Sequence, residues 1–393
     1  MSISIENNRS SLAKRQESLI VSNYLKNDVM KTKSLYLALL MLGSLMWSCS
    51  NKDGLNATSN TESLKNSINS GVQDLTTAMS AISASAGYQV LAGPADLTTK
   101  SATISPLDTI THSLLLTDIA GIYDYKANTV VKEHSSILRF FTKTADNLQM
   151  IVRLPEEKVK ASKSLLRYTP SDTLLANNYV VTLSEYQYNF NWFVSYDYKM
   201  ASSIKIKDVN AGVLKIQSSS SKANGYHFAS EFVFPNGYIT KCQYSSGDTA
   251  TSVYAITDGT KTLYEEKYTA IKSSTDMRNR ETAFSLTIGN VVVTRNLGKG
   301  QASLDSAKVY VGGVLQLKSK VELVDKTTDT TDNCVTNKKR ELKITFDDGT
   351  TSTFTELAGT VMTDISSLFA SMRQVYFATS IIDWIAWDVY TNK

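Results

Sequence analysis

The sequence predicts a mainly β fold: an antiparallel, hairpin-rich sheet, barrel-like or sandwich-like, with an N-terminal helix and an apolar, helical C-terminal segment. Three observations predict this class. From about residue 108, apolar residues recur with a period of two, which is the period of a strand. Tight-turn signals separate these alternating runs. Before residue 105 and after residue 360, the apolar period becomes that of a helix.

The composition excludes several protein classes. The chain has 393 residues, of which 42% are hydrophobic and 20% charged, so a largely disordered protein is excluded. A net charge of +4 is too small for the broad basic surface of nucleic-acid-binding proteins, so we expect no nucleic-acid partner. Three cysteines and three histidines are too few for a disulfide scaffold or a zinc site rich in these ligands. We therefore expect no metal and no cofactor.

An export signal lies near the start of the chain. Two lysines follow Met30 and precede an uncharged apolar run, residues 35–47, which ends at Ser48 and Cys49. The run is shorter than the roughly 20 residues of a transmembrane helix and has the length of a signal-peptide core. These residues resemble a bacterial lipoprotein signal. The resemblance implies that Cys49 is lipidated and becomes the new N-terminus, which makes the membrane a partner through the lipid.

The signal divides the first 60 residues into three segments. We interpret residues 1–29 as an over-extended start, 30–48 as the signal peptide and 49–60 as a flexible tether. With Ser50 after the cysteine, the segment is similar to outer-membrane lipoproteins of Bacteroidetes, and the resemblance implies an outer-membrane location. Its periplasmic or cell-surface side stays open. Without residues 1–48, 35 cationic and 34 acidic residues remain, so the mature chain is nearly neutral.

Helical spacing marks three segments. An N-terminal helix is predicted over residues 61–85, within a helix-and-connector region, 61–105. A short helix is predicted over residues 155–166, because a proline and two acids suit a helix N-terminus. The segment 361–393 is predicted to pack on the sheet, and whether residues 375–390 form helix or strand stays open.

The predicted β domain spans 106–360, or two subdomains that meet near 218–225, and its clearest alternation is aromatic. Seven apolar residues alternate with nearly all-polar neighbours between positions 186 and 198. Unbroken, they would form a strand of about 40 Å, whereas a turn near residues 189–191 would fold them into a hairpin. The aromatic row is the candidate ligand site: Tyr186, Tyr188, Trp192, Tyr196 and Tyr198. It could stack on sugars, line a cavity for a small apolar ligand, or form the core of the sheet.

Six turn signals support antiparallel pairing. Gly, Asn and Asp supply the positive φ that tight hairpin turns require. The signals are Asp208 to Gly212, Pro235 to Gly237, Asp258-Gly259, Gly289-Asn290, Gly312-Gly313 and Asp347 to Gly349.

No catalytic residue is predicted. The chain lacks the G-x-S-x-G, H-E-x-x-H, P-loop and G-x-G-x-x-G motifs. Neighbouring acids such as Glu265 and Glu266 point to opposite faces of a strand and do not form an acid–base pair. The polar loop 325–339 matches no EF-hand pattern, and we interpret it as solvated.

Two covalent modifications are predicted besides lipidation. Cys242 and Cys334 are candidates for one disulfide in an exported chain, with two buried free thiols as the alternative. Five sites resemble the Bacteroidetes O-glycosylation pattern of Asp, then Ser or Thr, then a small or aliphatic residue: Thr109, Thr173, Thr249, Ser306 and Thr330.

Together these features favour a non-catalytic, lipid-anchored outer-membrane or surface lipoprotein. Its β-rich body is expected to bind a glycan, a lipid or other small apolar ligand, or a protein. Two alternatives stay open: a surface hydrolase such as a glycosidase, and a structural or adhesive subunit. The oligomeric state stays open as well.

Overall fold

The structure is a computed structural model that describes residues 64–91, 111–126, 137–160, 173–191, 194–272, 280–297, 307–326 and 339–391. The chain divides into a larger unit, residues 46–99, 108–322 and 343–393, and a smaller one, residues 1–45, 100–107 and 323–342. Of the smaller unit, only residues 323–326 and 339–342 are described, and they are strand. The lipoprotein signal, Cys49 and the tether lie outside the described residues, as does the central part of loop 325–339.

Six α-helices occur in the described residues. They are α1 (Leu64–Ser83), α2 (Ala86–Leu91), α3 (Leu116–Ile119), α4 (Glu156–Lys160), α5 (Phe354–Ala358) and α6 (Val361–Thr391). A short 3₁₀ helix spans Ile137–Arg139. The prediction of an N-terminal helix is confirmed, and the C-terminal segment is a helix to Thr391, which settles residues 375–390 as helix. Within the described ranges, no helix combines the length and apolar character needed to cross a membrane.

The strands make up most of the fold. They are β1 (Thr111–Leu115), β2 (Gly121–Tyr125), β3 (Phe141–Ala145), β4 (Met150–Leu154), β5 (Tyr179–Asn191), β6 (Ser195–Ile206), β7 (Val209–Ser221), β8 (Gly225–Val233), β9 (Tyr238–Ser246), β10 (Thr249–Asp258), β11 (Lys261–Lys272), β12 (Arg280–Ile288), β13 (Val291–Leu297), β14 (Ala307–Val311), β15 (Val314–Leu315), β16 (Lys320–Lys326), β17 (Lys339–Thr345) and β18 (Thr351–Thr353). The predicted mainly β class, with a large antiparallel sheet, is confirmed.

The larger sheet has fifteen strands in a nearly sequential order. From β15 each strand pairs with the preceding strand of the chain down to β4, and β2 and β3 follow. β5 pairs with β4 along its first half and with β1 along its second half. The β2–β4 pair is parallel. Residues 218–225, where a subdomain boundary was an alternative, are the end of β7, a turn and the start of β8 in this sheet.

All six predicted turn signals join paired strands, which confirms them. The first turn differs in detail, because Lys207 and Asp208 carry its positive φ angles of 50° and 65°. Gly212 lies instead inside β7, beside a register shift. A Cβ atom there would lie 2.6 Å from the Phe232 ring, so glycine is needed for close packing as well as for its φ of 142°.

The aromatic run from 186 to 198 forms a hairpin, one of the two predicted alternatives. β5 ends at Asn191 and β6 begins at Ser195, and the strands pair from Asn191–Ser195 to Tyr179–Ile206. A single 40 Å strand is therefore wrong. Trp192 lies between the two strands and outside the described residues.

Helices α1 and α6 pack on one face of the sheet, which we call the helix face. The apolar stripe predicted for α1 consists of Leu64, Ile68, Val72, Leu75, Met79 and Ile82, and all of these residues are buried except Val72, which is half-buried. A Cβ atom at Gly71 would lie 2.9 Å from the Ile288 carbonyl oxygen, so α1 approaches β12 closely. From α6, the Phe369 ring lies 5.3 Å from that of Tyr254 on β10. We call the opposite face of the described strands the open face.

Candidate functional site: a polar groove on the open face

The four described tyrosines of the predicted aromatic row lie on the helix face, beneath α6. Tyr186 is buried at 3% exposure, and Tyr188, Tyr196 and Tyr198 are half-buried. The rings contact one another: the Tyr186 and Tyr198 centroids are 5.8 Å apart, and those of Tyr188 and Tyr198 are 5.9 Å apart. The row therefore forms part of a packed layer between sheet and helix, as the core alternative predicted. Its role as a ligand site stays a prediction.

A carboxyl group of α6 joins this aromatic layer. Asp383 Oδ1 accepts hydrogen bonds from the hydroxyls of Tyr186 and Tyr198, each at 3.1 Å. Burial raises the pKa of Asp383 to about 6, and the two hydroxyl hydrogen bonds partly offset this rise. Burial, together with the nearby carboxylate, also raises the pKa of both tyrosines well above 10. The group links α6 to β5 and β6.

The C-terminal turns of α6 make further contacts within the larger unit. Asp388 Oδ2 accepts from the backbone N–H of Ile137 at 2.7 Å. His112 Nδ1 lies 3.1 Å from the Tyr390 hydroxyl, and its ring stacks on Phe190 with centroids 5.0 Å apart. The Trp387 ring lies 5.6 Å from that of Phe190. His112 thus has a structural role in this layer.

The open face carries a groove with a volume of about 370 Å³, within the usual range for ligand sites. Cross-strand register builds it. Five polar residues lie opposite one another on successive strands and form the first row: Asp197, Ser219, His227, Ser245 and Thr251. Four residues form the second row in the same way: Lys199, Gln217, Ala229 and Gln243. Both rows run across β6 to β9, and the first extends to β10.

The small side chain of Ala229 explains why the open face has a groove at this position. Its neighbours across the strands are Gln217 and Gln243, so one methyl group lies between two long amide side chains. Ser219 and His227 border it in the first row, and these side chains are polar. A small residue surrounded by longer ones leaves space above the sheet, and that space is lined by hydrogen-bonding groups.

The charges of the groove lie mainly at its β6 end. Asp197 and Lys199 are two residues apart on one strand and point to the same face, so their opposite charges are neighbours. The β7, β9 and β10 positions are amides and hydroxyls. His227 Nε2 lies 2.9 Å from the Asn224 carbonyl oxygen, and Ser245 Oγ accepts from Thr251 N–H at 3.2 Å. The groove as a whole has no large excess of either charge.

The chemistry of the groove favours binding over catalysis. A serine, a histidine and an aspartate lie in one row, but Ser219 lies between Asp197 and His227. A nucleophilic relay needs the imidazole between the carboxylate and the hydroxyl. In the described part of the chain, no three His, Cys, Asp or Glu side chains are grouped closely enough to hold a metal ion.

Glu266 is a second carboxyl on the helix face, and it belongs to the neighbouring acids Glu265 and Glu266 noted in the sequence. Glu265 lies opposite Ala255 and Glu266 opposite Tyr254, so the two neighbouring acids point to opposite faces. Glu266 accepts from the Tyr264 hydroxyl at 3.0 Å, and burial raises its pKa. The expectation that these acids form no pair agrees with this geometry.

The remaining predicted site residues are only partly described. Cys242 has a free thiol on β9, and burial raises its pKa to about 12. Cys334 lies outside the described residues, so the disulfide stays a prediction. Thr173 and Thr249 are exposed. Thr109, Ser306 and Thr330 lie outside the described residues, and O-glycosylation stays a prediction.

Sequence reasoning missed the groove, although its signal was present. The polar residues that alternate with the aromatic row include Asp197, and the same strand continues to Lys199. Spacing along one strand does not state which residues of other strands lie opposite, so the two rows could not be assembled. Compared with known proteins, the chain matches no protein family, no curated protein and no solved structure.

Proposed function

We propose that this protein is a non-catalytic, lipid-anchored outer-membrane binding module whose open-face groove holds a neutral glycan. One observation carries the proposal: the cross-strand rows bring amides, hydroxyls, one imidazole and one pair of opposite charges to a single groove. Sugar hydroxyls donate and accept hydrogen bonds at once, and side-chain amides do the same. The near-neutral mature chain supports a neutral ligand.

The other ligand classes have less support. A small apolar ligand would need an apolar cavity, whereas the aromatic layer of the helix face packs against α6, with Phe190 against Trp387 and Tyr254 against Phe369. Most side chains that line the groove are polar, and Phe228, Ala229 and Tyr244 are the apolar or aromatic members of the lining. A hydrolase is disfavoured by the order of Asp197, Ser219 and His227. The barrel-like or sandwich-like form of the sheet and the apolar character of the C-terminal helix stay part of the proposal.

Filling the groove tests the proposed site. In Ala229→Trp, an indole occupies the space between Gln217 and Gln243 without removing a hydrogen-bonding group. We expect glycan binding, first identified on an array with the purified full chain, to fall at least tenfold by calorimetry. Ala283→Trp is the matched control, because Ala283 also faces outward, opposite Thr269 on β11, and does not line the groove. Equal loss in both variants, or no glycan bound by the wild type, would refute the site.

The lipid anchor is tested independently. Cys49→Ala removes the thiol that would carry the lipid, and we expect the protein to leave the membrane fraction, because a diacyl anchor contributes most of the membrane affinity. Fractionation followed by a carbonate wash measures this. Cys242→Ala is the control, and it should stay with the membrane. Retention of the Cys49 variant would refute the anchor without affecting the groove.

A further inference from the structure

The groove repeats its hydrogen-bonding groups once per strand. β6 contributes Asp197 and Lys199, and β7 to β10 each contribute at least one polar side chain to the rows. Neighbouring strands are about 4.8 Å apart, so the four steps from β6 to β10 span about 19 Å. Along one strand, side chains on the same face are about 6.7 Å apart. The closer repeat therefore runs across the strands.

A ligand that contacts the polar residues of every strand must have a repeat similar to the spacing between strands. An extended chain of β-linked pyranose units advances per unit by a distance comparable to the strand spacing, and each unit carries hydroxyls on its edges. Such a chain, laid along the rows, would present one unit to each step. A chain laid along a strand would meet only one or two residues of the rows, because each strand contributes at most two residues to them.

The two ends of the rows differ in charge. The β6 end carries Asp197 and Lys199, while the β10 end carries the uncharged Thr251. Hydrogen bonds to ionised groups are stronger than those between neutral groups. A ligand would therefore be held most strongly at the β6 end, with weaker contacts as far as Thr251 on β10, where the lining of the groove ends.

We propose that the groove binds an extended, β-linked glycan chain across the strands, anchored at Asp197 and Lys199, with about four units between β6 and β10. This inference rests on the proposed glycan-binding function and adds the linkage geometry, the direction and the length of the bound segment. It also assigns different roles to the two ends: Asp197 contributes to every bound oligomer, and Thr251 only to the fourth unit.

The test measures affinity against chain length, with β-1,4-linked glucose oligomers of two to six units as probes and the purified full chain as receptor. We expect affinity to rise about threefold or more per unit up to four, and to change less than twofold from four to six. Thr251→Val should abolish the gain from three units to four and leave the shorter oligomers unaffected. Asp197→Asn should weaken every length by about threefold or more, and Ala283→Trp should not change the affinity of oligomers of up to four units.

The outcomes separate this inference from the proposed function. A plateau at another length, or a gain from three to four units that persists in Thr251→Val, overturns the cross-strand register while groove binding stands. If these oligomers do not bind but another glycan binds and is lost in Ala229→Trp, the extended β-linked ligand is overturned and the function stands. If no glycan binds, both are overturned.

Discussion

The two faces of the same strands differ in almost every property that matters for function. On β5 and β6, one set of alternate residues forms a layer of tyrosines and phenylalanine beneath α6. The other set includes Asp197 and Lys199 and borders an open groove. Because successive side chains of a strand point to opposite faces, a shift of one residue would exchange the two roles. The face that looked like a ligand platform packs against a helix, and its polar counterpart is the better candidate site.

The largest expected effect is a difference between the two faces in how much a substitution lowers the free energy of unfolding. Ile385 of α6 is completely buried, and Ile385→Ala should lower the free energy of unfolding by about 2–5 kcal/mol, because a cavity remains. Gln217→Ala on the open face should change it by less than about 0.5 kcal/mol, because Gln217 is exposed. Chemical denaturation of both variants measures the contrast. Similar losses in the two would show that the open face also belongs to the core.

A smaller loss in the free energy of unfolding is expected when a hydrogen bond to Asp383 on the helix face is removed. Tyr186→Phe or Tyr198→Phe removes one of the two donors to Asp383 and should cost about 1–3 kcal/mol, because the carboxylate loses a hydrogen bond where water does not replace it. The double variant should be non-additive, because both hydroxyls bond the same oxygen. Tyr310→Phe on β14 is the control and should have little effect. Denaturation at pH 7 measures the three variants, and additive losses would contradict a shared acceptor.

The smallest effect depends on pH. The pKa of Asp383 is raised to about 6 in the folded protein, above its ordinary value of 3.8, so the folded state binds this proton more tightly than the unfolded state. Stability linked to Asp383 is therefore lowest above pH 6, grows as pH falls below 6 and levels off near pH 4. Between pH 7.5 and 5 the gain should be about 1 kcal/mol.

Asp383→Asn isolates this contribution, since it cannot titrate. The free energy of unfolding of the wild type should rise relative to that of Asp383→Asn as pH falls from 7.5 to 5. A groove variant such as Gln243→Ala should follow the wild-type profile. A wild-type profile parallel to that of Asp383→Asn would show that the carboxyl does not have a raised pKa.

Local patterns predicted the elements of this fold well. The α1 stripe, the six turns and the change to helical spacing after residue 360 each depend on residues close in sequence, and each is present in the structure. The aromatic alternation allowed either a long strand or a hairpin. Because the decision depends on how strands pair, the periodicity alone could not make it.

The candidate site was harder to predict, because its residues come from five strands. Asp197 and Thr251 are far apart in sequence, and only the register of four successive pairings places them in one row. Asp383 illustrates the same limit. A single acid in an apolar run could be recognised as unusual, but its tyrosine partners lie nearly 200 positions earlier and could not be assigned.

By itself, the sequence determined the mainly β class, the helices at both ends, the positions of the turns and the small net charge of the chain. These properties follow from spacing and composition, which act over a few residues or over the chain as a whole. Only the tertiary structure decided which face of the strands lies under α6 and which is open, because that depends on where a distant helix packs. Burial by α6 made the aromatic row a core layer, and cross-strand register made the polar residues a groove.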